Sequence, residues 1–128
     1  MKGDLIMSEV VILNLDRPRE LRFGHKAFKA LKSQTGMTLL DIEKKLNEGD
    51  LDPELIEKMV YVGLRHEDET LTPEKVEELL DRVPAYVDVV TAVAKAFIIG
   101  FAGTAEGNAG EPEQPAQKSD GITISTKV

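Results

Sequence analysis

Read as a pattern of apolar and polar positions, the chain divides into short periodic pieces flanked by two ends without a period. Val10 to Leu15 (VVILNL) is apolar and β-branched, which predicts a strand. Asp16-Arg17-Pro18-Arg19 has turn chemistry, with the proline setting φ. Glu20-Leu21-Arg22-Phe23 alternates with the period of a half-buried strand. The two strands predict a β-hairpin, which is marginal alone in water and must pack on helices.

Helical spacing follows. His25 to Thr35 puts Ala27, Phe28 and Leu31 on one face, and Gly36 is a C-terminal stop. Thr38-Leu39-Leu40-Asp41 resembles a capping box, with Asp in place of Glu, and opens a helix to about Asn47 that Gly49 ends. Asp52-Pro53-Glu54 combines an N-cap, a proline at the first helical position and an acid at the positive helix end. That helix runs to about Arg65 with Leu55, Ile56, Met59, Val60 and Leu64 on a broad apolar side. Thr72-Pro73-Glu74 repeats the start signal, and Val76, Leu79, Leu80 and Val83 follow at helical spacing. Asp50 and Asp52 are turn and cap residues, and Glu77 and Glu78 take the outer face of their helix.

The longest apolar stretch is 85–102, AYVDVVTAVAKAFIIGFA. On a helix its apolar arc covers roughly 260°, where an ordinary surface helix needs about 100° or somewhat more. Asp88, Thr91 and Lys95 form a narrow polar stripe, and Tyr86, Val90, Val93, Phe97 and Phe101 centre the opposite face. The expectation is an inner face that holds the domain together and an outer flank, Val89, Ile98, Ile99 and Phe101, that binds a partner. From Gly103 the chain turns to Gly, Pro, Glu, Gln and Ala without apolar period, a composition that cannot offset its chain entropy. Ile122 to Val128 recovers a weak strand pattern; the expectation is an unstructured end, the alternative a short peptide that adds to another chain's sheet edge.

The fold class this predicts is α+β, mostly α: a short N-terminal β-hairpin packed on a bundle of about five helices, with a disordered C-terminal tail. The expected division is a flexible leader at 1–8 (Met7 is an alternative start), a folded domain at 9–103 and a disordered tail at 104–128.

Composition narrows the function. The 128 residues contain no cysteine, which removes disulfides, thiolate catalysis and Cys-bound metals. A net charge of −7 argues against a general nucleic-acid binder. No secretory signal is apparent at the start, and Asp88 and Lys95 interrupt the one long apolar stretch, so no membrane span is expected. Charge is nonetheless uneven. Between Arg17 and Lys32 six Lys/Arg face one acid, Glu20, whereas from Asp41 to Arg82 fourteen acids face six Lys/Arg. A basic patch on an acidic body is suited to weak self-association or an oriented partner; the blander reading is a solvated helix face.

Catalytic chemistry is hard to place. His25 stands at a helix start beside Gly24, and His66 lies in the polar run Arg65-His66-Glu67-Asp68-Glu69, whose spacing matches no metal motif. No phosphate loop, nucleophile elbow or zinc-protease motif is present. The expectation is a non-enzymatic protein without cofactor or metal.

The order of these elements resembles a known family. After the apolar strand come Arg19-Glu-Leu-Arg-Phe-Gly-His-Lys-Ala-Phe-Lys-Ala-Leu31, a short helix, a helix ending Val62-Gly63-Leu64-Arg65, an acidic loop, Leu71-Thr72-Pro73-Glu74-Lys75-Val76 and a final apolar helix. Over about Val10 to Phe101 the chain is similar to the small tail assembly chaperones of long-tailed phages, gene transfer agents and defective prophages. The resemblance implies a protein of the host bacterial cytoplasm, absent from the mature virion. It would coat the long tape-measure protein and keep it soluble until major tail-tube subunits polymerise and displace it. Such families often make a second, longer form by translational frameshifting. Outside the resemblance stand a head–tail connector or completion protein and a small helical adaptor.

Overall fold

The computed structural model describes residues 10–103; the expected leader and tail, and the strand pattern at 122–128, lie outside them. Strand β1 (Val11–Asn14) pairs antiparallel with β2 (Pro18–Leu21), in the register Val11↔Leu21, Ile12↔Glu20, Leu13↔Arg19 and Asn14↔Pro18. The alternation does its expected work: Val11, Leu13, Leu21 and Phe23 are buried, whereas Ile12 and Asn14 face out. β2 begins and ends two residues earlier than its polar–apolar pattern suggests. Arg22 leaves the ladder because its N–H bonds Gly63 O of the third helix, at 3.0 Å, instead of β1.

Five helices follow: α1 (His25–Thr35), α2 (Leu39–Glu48), α3 (Pro53–Leu64), α4 (Pro73–Asp81) and α5 (Tyr86–Ala102). Their starts are set by local chemistry. Thr38 accepts from Asp41 N while Asp41 accepts from Thr38 N, a complete capping box. Asp52 caps Leu55 N at 2.8 Å, and Thr72 caps Lys75 N at 3.1 Å, each followed by proline at the first position. Such caps contribute about 1 kcal/mol each. Gly36 and Gly49 end α1 and α2 at φ of 75° and 69°, a left-handed geometry that glycine adopts without penalty.

α3 is the organising helix. Seven of its residues are buried, it packs against both α1 and α4, and it anchors β2 through Gly63. Close approach explains that glycine: a Cβ there would stand 2.6 Å from Leu21 Cδ1.

The burial of α5 departs from the expected division into faces. Val89, Val93, Ala96, Phe97 and Ile98 are buried; Val90, Ile99 and Phe101 are half-buried; Tyr86 and Val87 are exposed. Ala96, Phe97 and Ile98 are consecutive, so the C-terminal half is enclosed on several sides, whereas the first turn leaves Tyr86 and Val87 open. Phe97 lies among Phe23, Phe28 and Phe101, with ring centroids 6.0, 5.6 and 5.6 Å away. Gly100 lets α5 press on the Phe23 carbonyl. No helix among the described residues is long and apolar enough to cross a membrane.

Candidate partner-binding surface

Of the four side chains expected to face a partner, two are core residues. Val89 is 1% exposed and Ile98 8%. This corrects the outer-flank reading: the helical angle places Ile98 about 100° around from Phe97, on a flank, yet both sides of the helix are covered at that level. Ile99 and Phe101 are half-buried and pack against the core rather than standing free of it. The exposed apolar side chains lie elsewhere. Val87 (66%) and Tyr86 (40%) open α5, Leu40 (67%) projects from α2, and Val10 and Ile12 lie along β1.

The basic stretch forms one wall of an open cleft of about 800 Å³ between α1 and the end of α3. Arg22, His25 and Lys26 meet Arg65 and His66 across a floor that includes Ala27, Ala30 and Tyr61. Arg65 donates to the Tyr61 hydroxyl at 2.7 Å and lies over its ring. His66 stays exposed and donates through Nε2 to Glu20 O at 2.9 Å, which ties the end of α3 to β2. His25 is exposed at the start of α1.

The densest polar cluster is one the spacing did not reveal. Arg19 is the buried charged residue of β2, 4% exposed. Its guanidinium grips Asp16 bidentately at 2.8 and 3.0 Å, and Nη1 reaches Glu67 Oε1 at 3.1 Å and Asp68 Oδ2 at 3.2 Å. Arg17 adds a second bidentate pair to Glu67, at 3.0 and 3.1 Å. The hairpin turn is thereby clamped to the loop after α3. Thr70, through both its hydroxyl and its N–H, and then Arg19 hold the Asp68 carboxyl down at about 2. Arg19 likewise holds Asp16 below the usual carboxylate range, and Asp16 above all keeps the guanidinium charged. Carboxylates pinned in the ionised form are poor proton carriers near neutrality, so the cluster reads as a clamp rather than an acid–base site. Its partners lie about fifty positions apart in the chain, beyond the reach of any local motif.

Among the described residues no group of three or more His, Asp or Glu is placed to hold a metal ion. Burial, with Glu77 and Glu54 nearby, pushes Glu57 up; burial followed by Glu57 does the same to Tyr86. No protein-family model matches the chain, and no curated protein or solved structure does so either.

Proposed function

We propose that the protein is a non-enzymatic tail assembly chaperone that binds a phage or prophage tape-measure protein and keeps it soluble until the tail tube polymerises. The observation that carries this reading is the run of element-specific residues from Arg19-Glu-Leu-Arg-Phe through Gly63-Leu64-Arg65 to Leu71-Thr72-Pro73-Glu74. These lie on a hairpin and helices in the order that the resemblance implies. The physical case is consistent with it. An unassembled tape measure is a long coil with exposed apolar stripes. A small helical domain with a few exposed apolar side chains covers such stripes through weak contacts, which many copies along one chain make effective by avidity. Weak contacts also let tube subunits displace it.

Because Val89 and Ile98 are spent on the core, the contact surface is better assigned to Tyr86, Val87 and Leu40, with the half-buried Ile99 and Phe101 as a margin. Mass spectrometry of purified particles separates this role from that of a connector or completion protein. A chaperone is present in the infected or induced cell and absent from finished particles. Stoichiometric recovery of the chain in purified virions would rule the chaperone reading out. Gene position provides a second check: a location beside a very long tape-measure gene is expected, and one away from any tail genes favours the adaptor instead.

A further inference from the structure

Among the described residues the hairpin leaves one edge open, and the hydrogen bonds say which groups it presents. Glu20 O accepts from His66 Nε2, and Arg22 N–H donates to Gly63 O, so these two residues of the second strand and its extension turn their backbone groups toward α3. Arg19 and Leu21, one step out of phase, therefore turn theirs toward β1. In the observed register Val11↔Leu21 and Leu13↔Arg19 are then the hydrogen-bonded pairs, and Ile12↔Glu20 and Asn14↔Pro18 the non-hydrogen-bonded ones. Pro18, which has no N–H to give, fits that phase. Ile12 and Asn14 consequently point their N–H and C=O away from β2, and Val10 continues the same phase. Among the described residues no strand pairs with this edge and no hydrogen bond meets those groups.

The side chains there are apolar and half-exposed, Val10 at 53% and Ile12 at 48%. Exposed edges are usually blunted by lysine, proline or a bulge. From Val10 to Leu15 there is no charged residue and no proline.

We propose that a second copy of this chain adds its β1 to this edge, antiparallel, about a two-fold axis at Ile12, and so joins two hairpins into one four-stranded sheet. The strand is self-complementary in that register. Ile12 faces Ile12 of the partner subunit, Val10 faces the partner's Asn14, and no like charges are opposed. Each facing pair exchanges two backbone hydrogen bonds, about six in all. The strip is short, so the buried area falls well below the ~1,200 Å² of stable interfaces. The dimer is therefore weak and dependent on concentration. Each chain carries −7, so salt that screens the repulsion strengthens the pairing. Self-association of the basic α1 face with an acidic face would do the opposite. The inference does not rest on the proposed function.

Sedimentation velocity of the full-length chain from micromolar to millimolar concentration, at low and high salt, tests it. The average mass of the parent rises toward that of a dimer, more steeply at high salt, and exchange of the Ile12 amide slows as concentration rises. Ile12→Lys places a charge on the axis, and Asn14→Pro removes an outward N–H that the hairpin ladder does not use. Both lower the association constant at least about tenfold while helical circular dichroism is kept. A parent that stays monomeric throughout overturns the proposal. So do variants that associate as the parent does, association that salt weakens, or Ile12 amide protection that is independent of concentration.

Discussion

Replacing Gly100 by alanine puts the placement of α5 to a quantitative test. In an open helix position the change stabilises by about 1 kcal/mol, because alanine loses less backbone entropy. Here the added Cβ would collide with the Phe23 carbonyl oxygen and stand 3.1 Å from the Phe23 carbonyl carbon, where ordinary contact begins at 3.4 Å. The obstacle is backbone at the end of the hairpin, so no side-chain rotation relieves it and α5 must back away. Overpacking of this kind costs about 1–3 kcal/mol. Retreat also loosens Phe97 from Phe23 and Phe28, where each aromatic pair is worth about 0.5–1.5 kcal/mol. Set against the helix-propensity gain, the net expectation is a loss of about 1–3 kcal/mol. For a domain of this size that lowers Tm by roughly 5–20 °C. Urea and thermal unfolding followed by circular dichroism at 222 nm measures it. Gly63→Ala is the internal comparison: its added Cβ meets the end of the Leu21 side chain at 2.6 Å, which can rotate, so the loss there is about 1 kcal/mol or less. A Gly100→Ala variant as stable as the parent, or more so, would refute the packing of α5 against Phe23.

Three further perturbations have defined signs. Arg19→Ala leaves Asp16 without its guanidinium, and Glu67 and Asp68 with only Arg17 and Thr70. It costs about 2–3 kcal/mol in urea unfolding, below the ~3–5 of a fully buried pair because Glu67 and Asp68 remain about one-fifth exposed; a loss under about 0.5 kcal/mol would show the clamp to be ornamental. Asp16 and Asp68 have folded-state pKa values below their unfolded ones, so their contribution is complete above the unfolded carboxylate range and is lost as pH falls from about 4 toward 2. Unfolding free energies measured across that window should fall, and a flat profile would contradict the linkage. Glu57 has the opposite sign: its raised folded pKa means stability is lost as pH rises through it, so Glu57→Gln is more stable than the parent at pH 7 and equal to it at pH 3. A variant less stable than the parent at pH 7 would contradict that assignment.

How far the chain could be read in advance follows from the range of the forces involved. Capping is settled within four residues, so Thr38-x-x-Asp41, Asp52-Pro53 and Thr72-Pro73 announced their helices, and Gly36 and Gly49 their ends. Alternation placed Leu21 and Phe23 in the core. Three features depend on distant partners and were not visible. Arg22 leaves the ladder for a carbonyl on α3. The acids that neutralise Arg19 come from a loop about fifty residues on. Periodicity detects one apolar side of a helix but not how many neighbours surround it, so Ile98 was assigned to a free flank that the fold encloses. The side chains left for a partner are those of the first turn of α5 and Leu40.

Co-expression tests the central claim most directly. The tape-measure protein that the proposed function requires, sought among the genes neighbouring this one, is produced alone, with the parent, and with a Val87→Asp, Leu40→Asp double variant that retains parental circular dichroism. The account predicts a tape measure that is insoluble alone, soluble and co-purifying with the parent, and again largely insoluble with the variant. A tape measure equally insoluble with and without the parent chain would contradict it.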